Sequence, residues 1–139
     1  MKKVTGIGGI FFKTKDTEAT KAWYSEHLGL TETPGMGVVF AWRPFDNPSS
    51  AACSIWSPFK ETTNHFSPSE HDYMINYRVA DLEGLLAELK AAGVTVVGDM
   101  QVYDFGKFGW VLDPDGRKIE LWEPLGPQTG ESFKDGSIY

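Results

Sequence analysis

A chain of 139 residues with 41% hydrophobic and 23% charged residues has the size and balance of one globular domain, which excludes two independent domains or a largely disordered chain. Its net charge of −6 and its lack of lysine or arginine runs exclude nucleic acid and an anionic membrane as partners, since both require concentrated positive charge. No apolar stretch approaches the roughly 18 residues that span a bilayer, Met1-Lys2-Lys3 leads into a strand-like run, and Cys53 is the only cysteine; a cytoplasmic protein without an internal disulfide is expected.

Residues 4–13 read as a strand carrying Gly6, Gly8 and Gly9, and glycines inside a strand mark the close approach of another group. Asp16 caps a helix running to about His27, with Ala19, Ala22, Trp23 and Glu26 on one face, and Gly29 ends it. Strands follow at Gly37 to Arg43 and Ala51 to Trp56. Residues 57–72 show no periodicity and hold two prolines, so they read as a linker that also covers a site. Tyr73 to Val79 is a strand, and Asp81 caps a helix whose Leu82, Leu85, Leu86 and Leu89 repeat at helical spacing up to Gly93. Val94 to Val97 is a further strand.

Phe108 to Pro124 is a hairpin around Asp113-Pro114-Asp115-Gly116, in which proline pre-sets the turn and glycine supplies its left-handed position. Alternation along its second strand puts Lys118, Glu120 and Trp122 on one face and Ile119 and Leu121 on the other. Residues 125–139 read as a tail or an arm docked on a partner.

The order is strand, helix, three strands, linker, strand, helix, three strands, and the chain repeats itself. Asp16 corresponds to Asp81, Gly29 to Gly93, Ser54 to Glu120, Trp56 to Trp122 and, less tightly, Trp42 to Trp110. The expected fold is α+β: one domain over 1–139, made of tandem βαβββ modules at 4–56 and 73–124. Their mixed sheet would form a cup with the helices on its outer face.

These residues resemble the vicinal oxygen chelate superfamily of glyoxalases, bleomycin-resistance proteins and extradiol dioxygenases. The resemblance rests on Asp16, Trp23-Tyr24 and Leu28-Gly29-Leu30 in the first module. In the second it rests on Asp81-Leu82, Gly93-Val94, Asp113-Pro114-Asp115-Gly116 and Ile119 to Pro124. It implies metal ligands on the first and last strands of each module, at positions matching Gly9, Ser54, Met74 and Glu120. Only Glu120 is a competent ligand, because a transition-metal site draws three or four donors from His, Cys and carboxylate. No metal at these positions and no cofactor are therefore expected.

His27 ends a helix and His65 and His71 lie in the linker; a packed or solvated role is the ordinary one for each, although a linker folded over the cup would bring His71 toward Glu120. By parity with Met74, Asn76 and Arg78 face the cup, while Ile75, Tyr77 and Val79 pack on the helix. Arg78 grips an anionic ligand or pairs with Glu120 itself. Trp56, Trp110 and Trp122 form a stacking wall or plain core. Tyr103, between two strands, offers a hydroxyl donor, with Asp104 beside it as a base; loop residues of this kind are more often merely exposed. Cys53 points into the helix-facing core.

Aromatics reach 14% of the chain, enough to fill a core and still line a pocket or an interface. A homodimer is expected on that ground. The leading functional reading is a glyoxalase/bleomycin-resistance-like protein binding a small molecule in an aromatic and polar cup, with Glu120 as the catalytic or recognising carboxylate. The alternatives are a metal-dependent lyase or dioxygenase that uses Glu120, and an antibiotic-sequestering resistance protein.

Overall fold

The computed structural model describes residues 3–126. All but the first two residues of the arm read at 125–139 lie outside that range. Within it the elements are β1 (Val4–Thr14), α1 (Thr17–Leu28), β2 (Val38–Trp42), β3 (Ala52–Lys60), β4 (Tyr73–Val79), α2 (Leu82–Ala91), β5 (Gln101–Tyr103), β6 (Gly106–Leu112) and β7 (Lys118–Pro124).

The strands form one mixed sheet in the order β2-β3-β1-β4-β7-β6-β5. In each half the first strand pairs in parallel with the last, β1 with β3 and β4 with β7, across a connection that contains the helix. An antiparallel β1–β4 pairing joins the halves within one chain. The α+β class and the mixed sheet are as expected.

Local chemistry explains the helix boundaries. Asp16 accepts from the Ala19 backbone N–H at 3.1 Å, and Asp81 accepts from that of Gly84 at the same distance. Gly29, at φ 71°, ends α1 with a backbone bond to the Ser25 carbonyl. The two helices pack unequally. Leu82 and Leu85 of α2 are buried with Val79, Val111 and Leu121, whereas α1 has no buried residue and leaves Trp23 52% exposed. The narrow apolar face of α1 instead docks through Tyr24, whose ring lies tilted against those of Phe12 and Trp56.

Three boundaries differ from expectation. β3 continues to Lys60, four residues into the presumed linker, because its parallel register with β1 holds through Thr14 and Lys60. Residues 94–97 form only an isolated bridge, Val96 to Val111, and the strand beside β6 is β5. The first half has two strands after its helix where three were expected, with a bridge between Thr33 and Gly37 in place of the third. No helix among the described residues is long and apolar enough to cross a membrane.

Candidate functional site

One row of paired residues runs across the sheet and builds the site. Strand register places Val39 beside Ile55, Ile55 beside Gly9, Gly9 beside Asn76, Asn76 beside Glu120, and Glu120 beside Trp110. Glu120, 5% exposed, is the ionisable member. Its Oε1 accepts from Asn76 Nδ2 at 2.7 Å, and its Oε2 accepts from Trp110 Nε1 at 2.9 Å and lies 3.2 Å from His65 Nε2. Burial alone would raise the Glu120 carboxyl, but the bonds from His65, Asn76 and Trp110 outweigh it and hold the group below the usual carboxylate range. The site therefore contains a carboxylate that stays ionised while buried.

Above this row lies a cavity of about 850 Å³. Its polar floor includes Asn76 and Glu120, and its walls are largely apolar, with Phe11, Ile55, Phe59, Phe108 and Trp122 among them. A mostly apolar cavity with a few convergent polar groups is the usual form of a small-molecule site.

The sequence-predicted residues divide into three groups. Asn76, Glu120 and Trp122 line the cavity. Trp110 and Arg78 lie behind its surface: Trp110 supports Glu120, while Arg78 donates to the Cys53 carbonyl at 3.2 Å and sits between the Trp42 and Trp122 rings, 5.6 and 4.8 Å from their centroids. Arg78 is thus not the partner of Glu120. Trp56 and Tyr103 lie elsewhere. Trp56 is on the helix face, its ring 4.6 Å from Tyr24 and 5.3 Å from Phe12, so it forms no part of the cup wall. Tyr103 belongs to β5, not to a loop, and is 49% exposed and stacked on Phe105 at the sheet's edge. Asp104 beside it is exposed.

A one-residue slip accounts for three misplacements together. Spacing matched Ser54 to Glu120, but the parallel register matches Ile55 to Glu120, and a slip of one moves every side chain to the opposite face. Cys53, Ile55, Ser57 and Phe59 therefore face the cavity, and Ser54 and Trp56 face away. Ser54 is held by the Ile7 carbonyl and by Trp42 Nε1 at 2.8 Å. Cys53 lines the cavity instead of the helix-facing core; burial pushes its thiol up, with Arg78 opposing, which leaves it protonated and a poor nucleophile. On β4, Met74 is on the correct face but one pleat away, fully buried with Phe11 and Phe66.

The residues present do not fit the family's metal. At the matched row, Gly9 and Ile55 offer no side-chain donor, and Asn76 turns its amide N–H toward Glu120. Among the described residues no three His, Cys, Asp or Glu side chains converge. A carboxylate and one imidazole are fewer donors than a protein transition-metal site uses.

His65 is the site residue that sequence reasoning missed, and it comes from the linker. Its ring stacks on Phe59 with centroids 5.6 Å apart and 7° between planes, and stands edge-on to Trp110. Lys118 Nζ holds its backbone carbonyl at 2.7 Å, and the neighbouring Phe66 is fully buried. The linker reaches Glu120 through His65; His71 reaches the Asp115 carbonyl instead. The only sequence signal was a buried-type residue, Phe66, next to a histidine in an aperiodic stretch.

A family model described as Glyoxalase/Bleomycin resistance protein/Dioxygenase superfamily matches residues 6–121. No curated protein matches the chain. Among solved structures, a methylmalonyl-CoA epimerase from Mycobacterium tuberculosis is 22% identical, with 91% of this chain and 92% of that one covered and a TM-score of 0.59. A Streptomyces coelicolor methylmalonyl-CoA epimerase variant in complex with 2-nitronate-propionyl-CoA is 17% identical over 88% and 99% of the two chains, with a TM-score of 0.63. A Mn(II)-bound glyoxalase from Novosphingobium aromaticivorans is 16% identical over 93% of this chain and 42% of that one, with a TM-score of 0.61. At these identities the structures share the fold. Given the family match over most of its length and the paired half-sheets that carry the cup, the chain belongs to the Glyoxalase/Bleomycin resistance protein/Dioxygenase superfamily.

Proposed function

We propose that the protein binds a small organic molecule in the cup, with Glu120 as its polar anchor and without a transition metal at the family positions. One observation carries this reading: a buried carboxylate faces a mostly apolar cavity of about 850 Å³ and is held in its charged form by hydrogen bonds from Asn76, Trp110 and His65. Each such bond to a charged group contributes about 1.5–3 kcal/mol, enough together to keep the charge buried. The donors do for the carboxylate what an ion does in a metal site.

The test is a thermal-shift screen of metabolites and drugs, with and without a chelator, beside elemental analysis. Ligands that raise Tm equally in both conditions, with metal well below one per chain, support the reading. Stoichiometric metal that is lost in Glu120→Ala, with ligand shifts abolished by chelator, would replace it by the metal-dependent lyase or dioxygenase reading, which the closeness of His65 Nε2 to Glu120 Oε2 favours. A homodimer belongs to the same proposal, supported by exposed Val102, Tyr103 and Phe105 at the β5 edge. Light scattering giving the monomer mass at tens of micromolar counts against it.

A further inference from the structure

We propose that the cup is built for a neutral aromatic molecule carrying an N–H or O–H donor, which is received by Glu120 Oε1. The inference rests on the reading of the cup as a small-molecule site and names the class of its occupant.

The cavity surface offers a charged acceptor and no free charged donor. Glu120 reaches that surface, and its Oε2 already meets Trp110 Nε1 and His65 Nε2. Its Oε1 takes only the Asn76 bond, and a carboxylate oxygen has room for a second donor. Asn76 itself braces Glu120 and offers a ligand little: it is 2% exposed, its amide nitrogen is turned to Glu120, and its Oδ1 packs against Gly8, where a Cβ would lie 2.1 Å away. Gly106 encloses the Trp122 Nε1 in the same way. Lys21 on the cavity rim is held by Glu32 at 3.3 Å and Glu18 at 3.8 Å.

Charge in and around the cup is balanced before anything enters. The parallel register puts Asn76 and Glu120 in one row and Arg78 and Trp122 in the row two residues on, roughly 7 Å along the same face. Arg78 is 7% exposed and has no carboxylate partner among the described residues; it donates to the Cys53 carbonyl and lies against the Trp42 and Trp122 rings behind the cavity surface. A buried guanidinium thus stands one row from the buried carboxylate, and Lys21 stands against Glu32 at the rim. A cation would give up its water for a carboxylate whose charge is already met by its donors and by Arg78. An anion would find no unengaged cation on the wall. A neutral molecule gives up least water and gains a bond to a charged acceptor, which is stronger than one between neutral groups. Phe11, Phe59, Phe108 and Trp122 receive its ring.

Calorimetry at pH 7.5 with four probes on one bicyclic frame tests this: 5-methylindole, 5-methylbenzothiophene, indole-5-carboxylate and 5-(aminomethyl)indole in its ammonium form. The benzothiophene keeps the size and apolar surface and lacks the N–H, so 5-methylindole is expected to bind at least about tenfold tighter. The carboxylate and the ammonium keep the N–H and add one charge of either sign, and each is expected to bind at least about tenfold more weakly than 5-methylindole. Glu120→Gln, which leaves one carbonyl oxygen to be shared among the three donors, is expected to bring 5-methylindole within about threefold of the benzothiophene. If the benzothiophene binds as well as 5-methylindole, or either charged probe binds as tightly, the assignment is overturned while the cup reading stands. If none of the four binds, the assignment also fails, and the thermal-shift screen alone decides whether the cup reading falls with it. The comparison among probes needs no variant and decides the matter even where Glu120→Gln does not fold.

Discussion

In the second half of the sheet the parallel pair β4–β7 places Asn76 beside Glu120; at the matching register of the first half, β1–β3 places Gly9 beside Ile55. The backbone arrangement is the same and the chemistry is opposite. One half carries the buried charge and its donors, and the other supplies a largely apolar wall in which Gly8 makes room for the Asn76 side chain. The difference teaches that a duplicated scaffold need not duplicate its site. The apolar half lowers the local dielectric around Glu120, which strengthens each hydrogen bond to it and makes each missing one costly.

The largest effect should come from breaking that asymmetry at its charged end. Glu120→Ala removes the shared acceptor of Asn76, Trp110 and His65, and is expected to cost about 2–5 kcal/mol in urea unfolding, since each buried donor left unpaired costs about 1–3 kcal/mol. Ile55→Val, at the matched position of the other half, is expected to cost about 0.5–1.5 kcal/mol. Comparable losses at both positions would mean that the polar row contributes no more than ordinary packing.

Acid tests the same contrast through one proton. The Glu120 carboxyl is held below its unfolded value, so its contribution is complete above about pH 4.3, the ordinary glutamate value, and is lost as pH falls through the lower folded value. Wild-type stability should therefore fall over that acid interval by more than the stability of Glu120→Gln, which has no carboxyl to protonate. Parallel pH profiles for the two proteins would remove Glu120 from the account of acid lability.

How much of this was legible in the residues differs between the halves, for a physical reason. The Asp113 to Gly116 turn fixes the β6–β7 register locally: the Asp113 carboxylate accepts from the backbone N–H groups of Asp115 and Arg117 at 2.9 Å, so alternation outward from the turn correctly orients Lys118, Glu120 and Trp122. β3 has no such local marker. Its register is set by pairing with a distant strand that itself carries a bulge, and spacing alone placed Ser54 and Trp56 on the wrong face. His65 was out of reach of periodicity altogether. Its position depends on Phe66 filling the core beside Met74 and on Lys118 binding its carbonyl, contacts made only once the chain has closed.

The tryptophans sharpen the contrast at an intermediate size. Trp122 lines the cavity and stacks on Phe108 at 5.9 Å, while Trp56 packs on α1. Trp122→Phe and Trp56→Phe should each cost about 1–2 kcal/mol, within the usual range for partial truncation of a packed side chain. Ligand-induced changes in tryptophan fluorescence should persist in Trp56→Phe and be largely lost in Trp122→Phe. The reverse pattern would put the ligand on the helix side of the sheet.

The smallest effect is expected at Tyr103. It lies on β5, the edge strand farthest from the Gly9–Asn76 row, and its ring stacks on Phe105 with centroids 5.3 Å apart while half of the residue meets solvent. A hydroxyl at such a position exchanges one set of water contacts for another on folding, so Tyr103→Phe should change stability by less than about 0.5 kcal/mol. Because Phe105 lines the cavity and Tyr103 does not, ligand affinity should also hold within about twofold, a difference well below 1 kcal/mol. A larger loss of affinity with unchanged stability would mean that β5 folds inward on a bound ligand and presents the phenol to it. In that event the division between a polar second half and an apolar first half would extend to the sheet's edge, with Tyr103 as a donor on the ligand opposite Glu120.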